Sequence, residues 1–404
     1  VKKSIKIIQG GILAPRGFKA AGVRCGLKKI AGRNDLALIV SETKASAAGV
    51  FTTNVVKAAC VLCNQKNIKS GVARAIVANA GNANACNGKR GLRDARKMIG
   101  LAAKHIGVLP KHVLNASTGV IGQPLPIEKV AQGIKLAAAA LHGGNGDDVA
   151  QAIMTTDTFA KQIAVEIAIG GKAVRLGAVA KGAGMIEPNM ATMLSFITSD
   201  AAISAAVLRR LLRDAVKTTF NAITVDGDTS TNDMCLILAN GLAGNKPITN
   251  ASSADAGKFR NALHAVCLFL AKEIARDGEG ATKLVEITVK NISDPQKAAK
   301  TIANSPLVKT ALYGNDPNWG RIIAAAGRSG LAFDPSKIDI SLAGVSVCKK
   351  GVGVKFDAAA LSEKMKAKKV EIAVDFHQKA KKSATVWTCD FSYDYVKINA
   401  DYHT

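Results

Sequence analysis

The segment KGAGMIEPNMATML, residues 181–194, concentrates the residue types that could do covalent chemistry. Its glycines punctuate the chain, Pro188 forces the preceding residue extended, and small residues lead into an apolar strand beginning at Met193. A threonine hydroxyl is a poor nucleophile at its free pKa. Thr192 would gain an attached general base, its own α-amine, as soon as the peptide bond before it is cut. Such self-processing demands a small residue before the threonine and a tight local approach, and Ala191 and its neighbours supply both. The competing structural reading of Thr192 is a half-buried β-branched strand residue. The GAG within this segment is a weak phosphate loop, because it fits neither GxGxxG after a strand nor GxxxxGK[ST].

Other polar clusters carry less. VDGDTSTND, residues 225–233, starts like a calcium loop with Asp226 and Asp228 two apart. Its sixth position is Thr231 where the loop needs glycine, and its twelfth is Ile237 where it needs glutamate, so it reads as a turn that shapes a site or links elements. Cys60 and Cys63 form a CxxC pair with no second Cys/His pair at comparable spacing, so the eight cysteines read as free, mostly buried thiols of a reducing compartment. The six histidines show no HExxH spacing. No metal is expected. AGNANACNG, residues 80–88, is equally a phosphate nest or a supporting turn.

The elements that must position these residues form a mixed α/β pattern. Val207, Leu208, Leu211, Leu212, Ala215 and Val216 recur at helical spacing, as do Phe259, Ala262, Leu263, Val266, Cys267 and Leu270. Further helices are expected at 93–106, 127–141 and 358–368. Strands are expected at 36–40, 75–78, 163–169, 194–197, 236–239, 284–289, 338–340, 370–374 and 384–389. Two strand-rich stretches would then flank a helix-rich middle. Candidate joints are HGGNGDD at 142–148, the polar stretch 242–257 and the RDGEGATK turn at 276–283. From about residue 284 the strands and one late helix suffice for a small α+β domain whose solvated face carries Lys350, Lys364, Lys366, Lys368 and Lys369.

With 404 residues, 48% of them hydrophobic, the chain can bury a core several layers deep. Its 55 basic and 30 acidic residues leave a net charge of +25. Residues 1–191 hold 27 basic and 9 acidic side chains against 28 and 21 in the remainder, an asymmetry that raises nucleic acid as a partner. Aromatics are only 4% and no nucleic-acid motif accompanies the charge, so no nucleic-acid partner is expected. The longest apolar stretches, such as 264–271, fall far short of the roughly 20 residues that span a bilayer. VKKSIKIIQGG has the charge of a signal n-region without an apolar run behind it. A cytoplasmic protein without a membrane partner is expected.

KGAGMIEPNMATML resembles the cleavage-and-nucleophile motif of the ornithine acetyltransferase family, arginine-pathway enzymes that move an acetyl group between N-acetylornithine and glutamate. GFKAAGV, IVANAGNANACNG, NASTGVIGQPLP, IMTTDT, VDGDTSTND, RDGEGATK, YGNDPNWGRI and the terminal INADYHT also match, in order, over essentially the whole chain. The resemblance implies that Thr192 is the nucleophile, freed by autocleavage after Ala191 into chains 1–191 and 192–404. It places the oxyanion pair on Thr118 and Gly119, and substrate contacts on Thr155, Lys181, Thr192, Glu279, Asn399 and Thr404. It implies no cofactor, with acetyl-CoA as a co-substrate in bifunctional members, and a heterotetramer of two copies of each fragment. Its substrates and products would be N-acetylornithine, glutamate, ornithine and N-acetylglutamate.

The expected fold is α/β of the α+β type, a layered sandwich of sheets and helices with the threonine at a strand start. A catalytic domain would span 1–283, and a smaller α+β domain, 284–404, would return its tail to the site. Chemically, Lys181 can neutralise a substrate carboxylate, Glu279 can pair with an ammonium, and Asn399 and Thr404 can orient by hydrogen bonds. Each has a plain alternative: a solvated lysine, a turn-capping glutamate, and two frayed terminal residues. An amidase of the amino-terminal-nucleophile type would share the threonine chemistry with water as acceptor. Thr192→Ala is expected to leave a single uncut chain in an intact-mass spectrum, where the wild type gives two pieces and a new N-terminal threonine; normal fragments from the variant overturn the assignment.

Overall fold

The structure is a computed structural model and describes residues 5–29, 32–187 and 193–401. Ala191, Thr192 and Thr404 therefore lie outside the described residues. A first sheet has nine strands among the described residues: β1 (Lys6–Ile8), β2 (Phe18–Val23), β3 (Leu36–Phe51), β4 (Val72–Asn82), β5 (Val113–Val120), β6 (Lys161–Ile169), β7 (Lys172–Lys181), β8 (Leu194–Ser199) and β9 (Met234–Ala239). Their order is β1-β6-β7-β8-β9-β3-β4-β5, with β2 paired to β3. Between them run α1 (Ala59–Asn67), α2 (Gly88–Ile106), α3 (Ile127–Ala140), α4 (Gly146–Ala152) and α5 (Ala205–Lys217), and α6 (Ala254–Arg276) follows.

The 16-residue β3 explains the layering. Its first part pairs with β2 and β4, its register slips between Val40 and Ala45, and its last part pairs with β9. The slip bends the strand, so one sheet folds over on itself. Side chains alternate accordingly. Ala37, Ile39, Ile76, Leu114, Phe196, Leu236 and Leu238 pack into the space between the two halves. Leu36, Leu38, Val40, Ala75 and Val77 face outward onto α2 and α3. On the other outer face Leu176, Ala178, Ile197 and Ile237 meet Leu208, Leu211, Leu212, Phe259, Leu263 and Val266 of α5 and α6. The result is helices, sheet, sheet, helices, the layered sandwich expected. Ser204 and Ser253 cap α5 and α6, their side chains accepting from the amides of Val207 and Ala256.

The second sheet takes its six strands from later in the chain: β10 (Leu284–Lys290), β11 (Asp339–Leu342), β12 (Val345–Lys349), β13 (Val352–Gly353), β14 (Lys369–Asp375) and β15 (Ser383–Cys389), in the order β13-β12-β11-β14-β10-β15. Where one late helix was expected there are five among the described residues: α7 (Pro295–Ala303), α8 (Pro306–Tyr313), α9 (Trp319–Gly327), α10 (Ala358–Met365) and α11 (Tyr393–Asp401). α7 and α8 each begin at a proline behind a capping Asp294 or Ser305. A proline that looks like a breaker is well suited to a first helical position, because its missing N–H is one of the helix's unpaired donors. Helices and strands thus interleave along the whole chain, with no helix-rich middle.

No helix among the described residues is long and apolar enough to cross a membrane. Phe259 is fully buried at the centre of the α5–α6 layer. Phe259→Ala is expected to cost about 3–5 kcal/mol, measured as a lower urea midpoint at unchanged slope.

Candidate active site

β7 and β8 are antiparallel neighbours, registered from Leu176 opposite Ser199 to Lys181 opposite Leu194. The segment that joins them, 182–193, contains the expected cut. Its described part is held tightly. The Asp226 carboxylate accepts the amides of Met185 (2.6 Å) and Ile186 (2.8 Å), and the Glu187 amide donates to the Asp228 carbonyl at 2.9 Å. VDGDTSTND is thus a clamp on the chain just ahead of residue 188, made by the Asp226 carboxylate and the Asp228 backbone. On the far side of the cut the Met193 carbonyl accepts from the Met234 amide at 3.0 Å.

One pocket gathers Thr118, Gly119, Thr155, Lys181, Glu279 and Asn399, and Met193, the residue after Thr192, lines the same pocket. Residues up to 281 positions apart in sequence converge there from β5, the loop after α4, the end of β7, the loop after α6 and α11.

 

Each member is positioned by a local constraint. β5 runs parallel to β4 with Gly119 opposite Gly81. Gly119 has φ of +128°, and a Cβ on it would lie 2.4 Å from the Gly81 carbonyl carbon. Only glycine fits there, so Gly119 lines the pocket where β5 approaches the β4 backbone closely. The Asn232 amide group donates to the carbonyls of Ser117 (2.8 Å) and Ala83 (2.6 Å), tying Thr118's strand to the 80–88 turn. That turn supports the Thr118–Gly119 strand end.

Lys181 is 8% exposed and Glu279 is 9% exposed, which rules out the solvated-lysine reading and the surface turn-cap reading. The Lys181 ammonium donates to the Thr155 hydroxyl at 2.7 Å and lies 4.0 Å from Asp157. Glu279 accepts from the Asn399 side chain at 2.9 Å, and its amide donates to the Ala183 carbonyl. A Cβ on Gly184 would sit 2.3 Å from the Glu279 carboxyl carbon, so Gly184 makes room for the glutamate. Asn399 is not frayed: it rides on α11, which is anchored where Ser392 donates to the Gly280 carbonyl at 2.6 Å.

Beneath the pocket lies a group that motif reading passed over. Lys161 is fully buried and its ammonium is held by Asp157 (2.8 Å) and Asp277. Asp157 also accepts the amides of Gly182 (2.6 Å) and Thr155 (2.9 Å), and Asp277 accepts that of Thr158. Burial opposes ionisation of Asp157, but the Lys181 and Lys161 ammoniums and these hydrogen bonds outweigh it and hold its carboxyl well below the usual carboxylate range. The signal was available: Asp157 stands inside IMTTDT and Asp277 inside RDGEGATK. Asn232 and Gly184 were missed too, because their roles are close approaches and backbone ties that no spacing reveals.

Layered sheets and helices around a pocket lined by Gly119, a buried lysine and a buried glutamate are those of an α/β acyl-transfer enzyme. The chain belongs to the ArgJ family, whose profile matches residues 19–404. It is 53% identical to the arginine biosynthesis bifunctional protein ArgJ of Symbiobacterium thermophilum, over 98% of this chain and 99% of that protein. It is 48% identical to the protein of the same name from Caldanaerobacter subterraneus subsp. tengcongensis, over 99% of this chain and 100% of that one. The crystal structure of arginine biosynthesis bifunctional protein argJ from Bacillus halodurans aligns at a TM-score of 0.50 and 45% identity, covering 52% of this chain and 100% of the solved chain.

Because the Asp157 pKa is depressed by folding, its stabilisation is complete above the ordinary value of about 3.9 and is lost as pH falls below it toward the folded value. Asp157→Asn is expected to cost about 3 kcal/mol at neutral pH and to flatten the loss of stability below pH ~4, read by urea unfolding across a pH series.

Proposed function

We propose that the chain transfers an acetyl group from N2-acetylornithine to glutamate in arginine biosynthesis, through an acetyl-Thr192 intermediate, after cutting itself between Ala191 and Thr192. The observation that carries this is the convergence of Thr118, Gly119, Thr155, Lys181, Glu279 and Asn399 on one pocket that Met193 also lines. In this reading the Thr192 hydroxyl attacks the acetyl carbonyl, Thr118 and the Gly119 amide stabilise the oxyanion, and the Thr192 α-amine takes the hydroxyl proton and delivers it to the leaving amine. Ornithine departs. Glutamate then attacks the acetyl ester and regenerates the threonine. Lys181 neutralises the substrate carboxylate, Glu279 pairs with the ornithine ammonium, and Thr155 and Asn399 orient them, with Thr404 completing the tail's contribution.

Cleavage uses the same nucleophile against the Ala191 carbonyl, giving an ester that water opens. The whole solved Bacillus halodurans chain aligns with about half of this one, the size of one product of such a cut, which supports the processing. The relatives' shared name, bifunctional protein, favours a second reading in which acetyl-CoA also donates its acetyl group to the free Thr192 hydroxyl, with coenzyme A leaving as the thiol, before glutamate takes the acetyl. A cytoplasmic heterotetramer of two chains 1–191 and two chains 192–404 fits this reading, with a catalytic unit over 1–283 and a smaller one over 284–404.

Ornithine release from N2-acetylornithine is expected to depend on added glutamate; release at the same rate without it would indicate an amidase. Acetyl-CoA as sole donor separates the two readings of the transferase. Removing residues 399–404 is expected to cut kcat/KM by about 100-fold, the loss of two polar substrate contacts, and unchanged activity would refute a substrate role for the tail.

A further inference from the structure

A second cleft lies on the other side of the clamp from the pocket described above. Met185 and Ser230 line the acyl pocket, whereas Glu187 and Thr229 line this cleft. Only the bridge between Ile186 and Thr229 separates them. The cleft's walls come from the end of α5, the length of α7 and the end of α9, and they bring together Lys217, Lys297, Lys300 and Arg328. Lys217, Lys297 and Arg328 are exposed, and none forms an ion pair with a carboxylate among the described residues. The two carboxylates of the lining are already engaged: Asp294 caps α7 by accepting the Lys297 amide at 3.0 Å, and Glu187 faces Lys300 at 3.6 Å and takes the Asn304 amide group.

Like charges held around one concavity repel, and their natural complement is a multiply charged anion. A single carboxylate would satisfy one cation. A phosphate offers several acceptor oxygens to lysine and to the planar guanidinium together. The polar walls offer no aromatic face on which to bury a large apolar ligand.

We propose that this cleft binds phosphate groups of a small molecule. The two sources of that chemistry are the phosphorylated nucleotide end of coenzyme A and free phosphate. Occupancy bears on the acyl pocket through Glu187: a phosphate at Lys300 competes for the cation that now faces Glu187, and Glu187 stands one residue beyond Ile186 in the bridge shared by both pockets. The site goes beyond the transfer reaction, which needs only the residues of the other pocket.

Calorimetric titration of the purified enzyme with coenzyme A and, separately, inorganic phosphate tests it. Saturable, salt-weakened binding of at least one probe is expected, weaker by about tenfold for each cation removed in Lys297→Gln and Arg328→Gln. Glutamate-dependent release of ornithine from acetylornithine should stay unchanged in both variants, which separates failure of this site from failure of the transfer mechanism. Coenzyme A binding that the variants weaken, with no response to phosphate, identifies the coenzyme as the source; a response to phosphate alone identifies the free anion. Either supports the site. No saturable binding of either probe, or equal binding by the variants and the wild type, overturns it.

Discussion

The buried ammonium of Lys161 is the constraint on which the pocket depends. A lysine with no exposure would lose its charge unless paired, and here two carboxylates, Asp157 and Asp277, hold it. Those carboxylates do more than compensate it. Asp157 takes the amide of Gly182 and sits beside Lys181, so it fixes the end of β7. Asp277 belongs to the loop that carries Glu279 two residues later, and it takes the amide of Thr158. One ammonium therefore joins the wall that bears the pocket's cation to the wall that bears its anion. Replacing it with a neutral side chain would leave two buried carboxylates facing each other, so the cluster stands or falls as a unit.

The location of the expected cut follows from a second constraint, strand pairing. Breaking the chain at a domain linker would free two bodies. Breaking it between β7 and β8 separates neighbours in one sheet, whose ladder from Leu176–Ser199 to Lys181–Leu194 holds them across the gap. β8 is further bound by parallel pairing to β9. A newly freed amino terminus at residue 192 would thus be two residues from a strand buried along its whole length. Met193, the described residue next to it, is held by the Met234 amide and by the strand that follows, contacts that do not depend on a covalent link to residue 191.

What was legible in the sequence was whatever one face could reveal. α5 and α6 were read correctly because each buries one side, and their apolar residues recur at helical spacing. Strand existence was clear for β8, β9 and β10, but β3 was read as five residues where it has 16, because its Ser-Glu-Thr-Lys centre looks like a turn and is in fact the bend. β7 was missed because a strand buried on both faces loses the alternation that marks strands. α4 begins inside a stretch read as a joint, since Gly146 and its neighbouring aspartates resemble a loop until Asn145 is seen to cap the helix. The six described site residues came from motif resemblance and met in one pocket. The Lys161 cluster did not, because a lysine at a strand start is ordinary until its burial is known.

The pocket's polar side chains are paired before any substrate arrives: Lys181 with Thr155, and Glu279 with Asn399. A ligand carboxylate or ammonium must therefore exchange with a partner that is already satisfied, and the net gain per contact is modest. The penalty for a ligand that displaces these partners without replacing them is larger, because Lys181 and Glu279 are too buried for water to compensate. Binding is thus tuned less for affinity than for discrimination. This suits a reaction in which two different amino acids must occupy one site in turn, since the departing one has to leave before the next can enter.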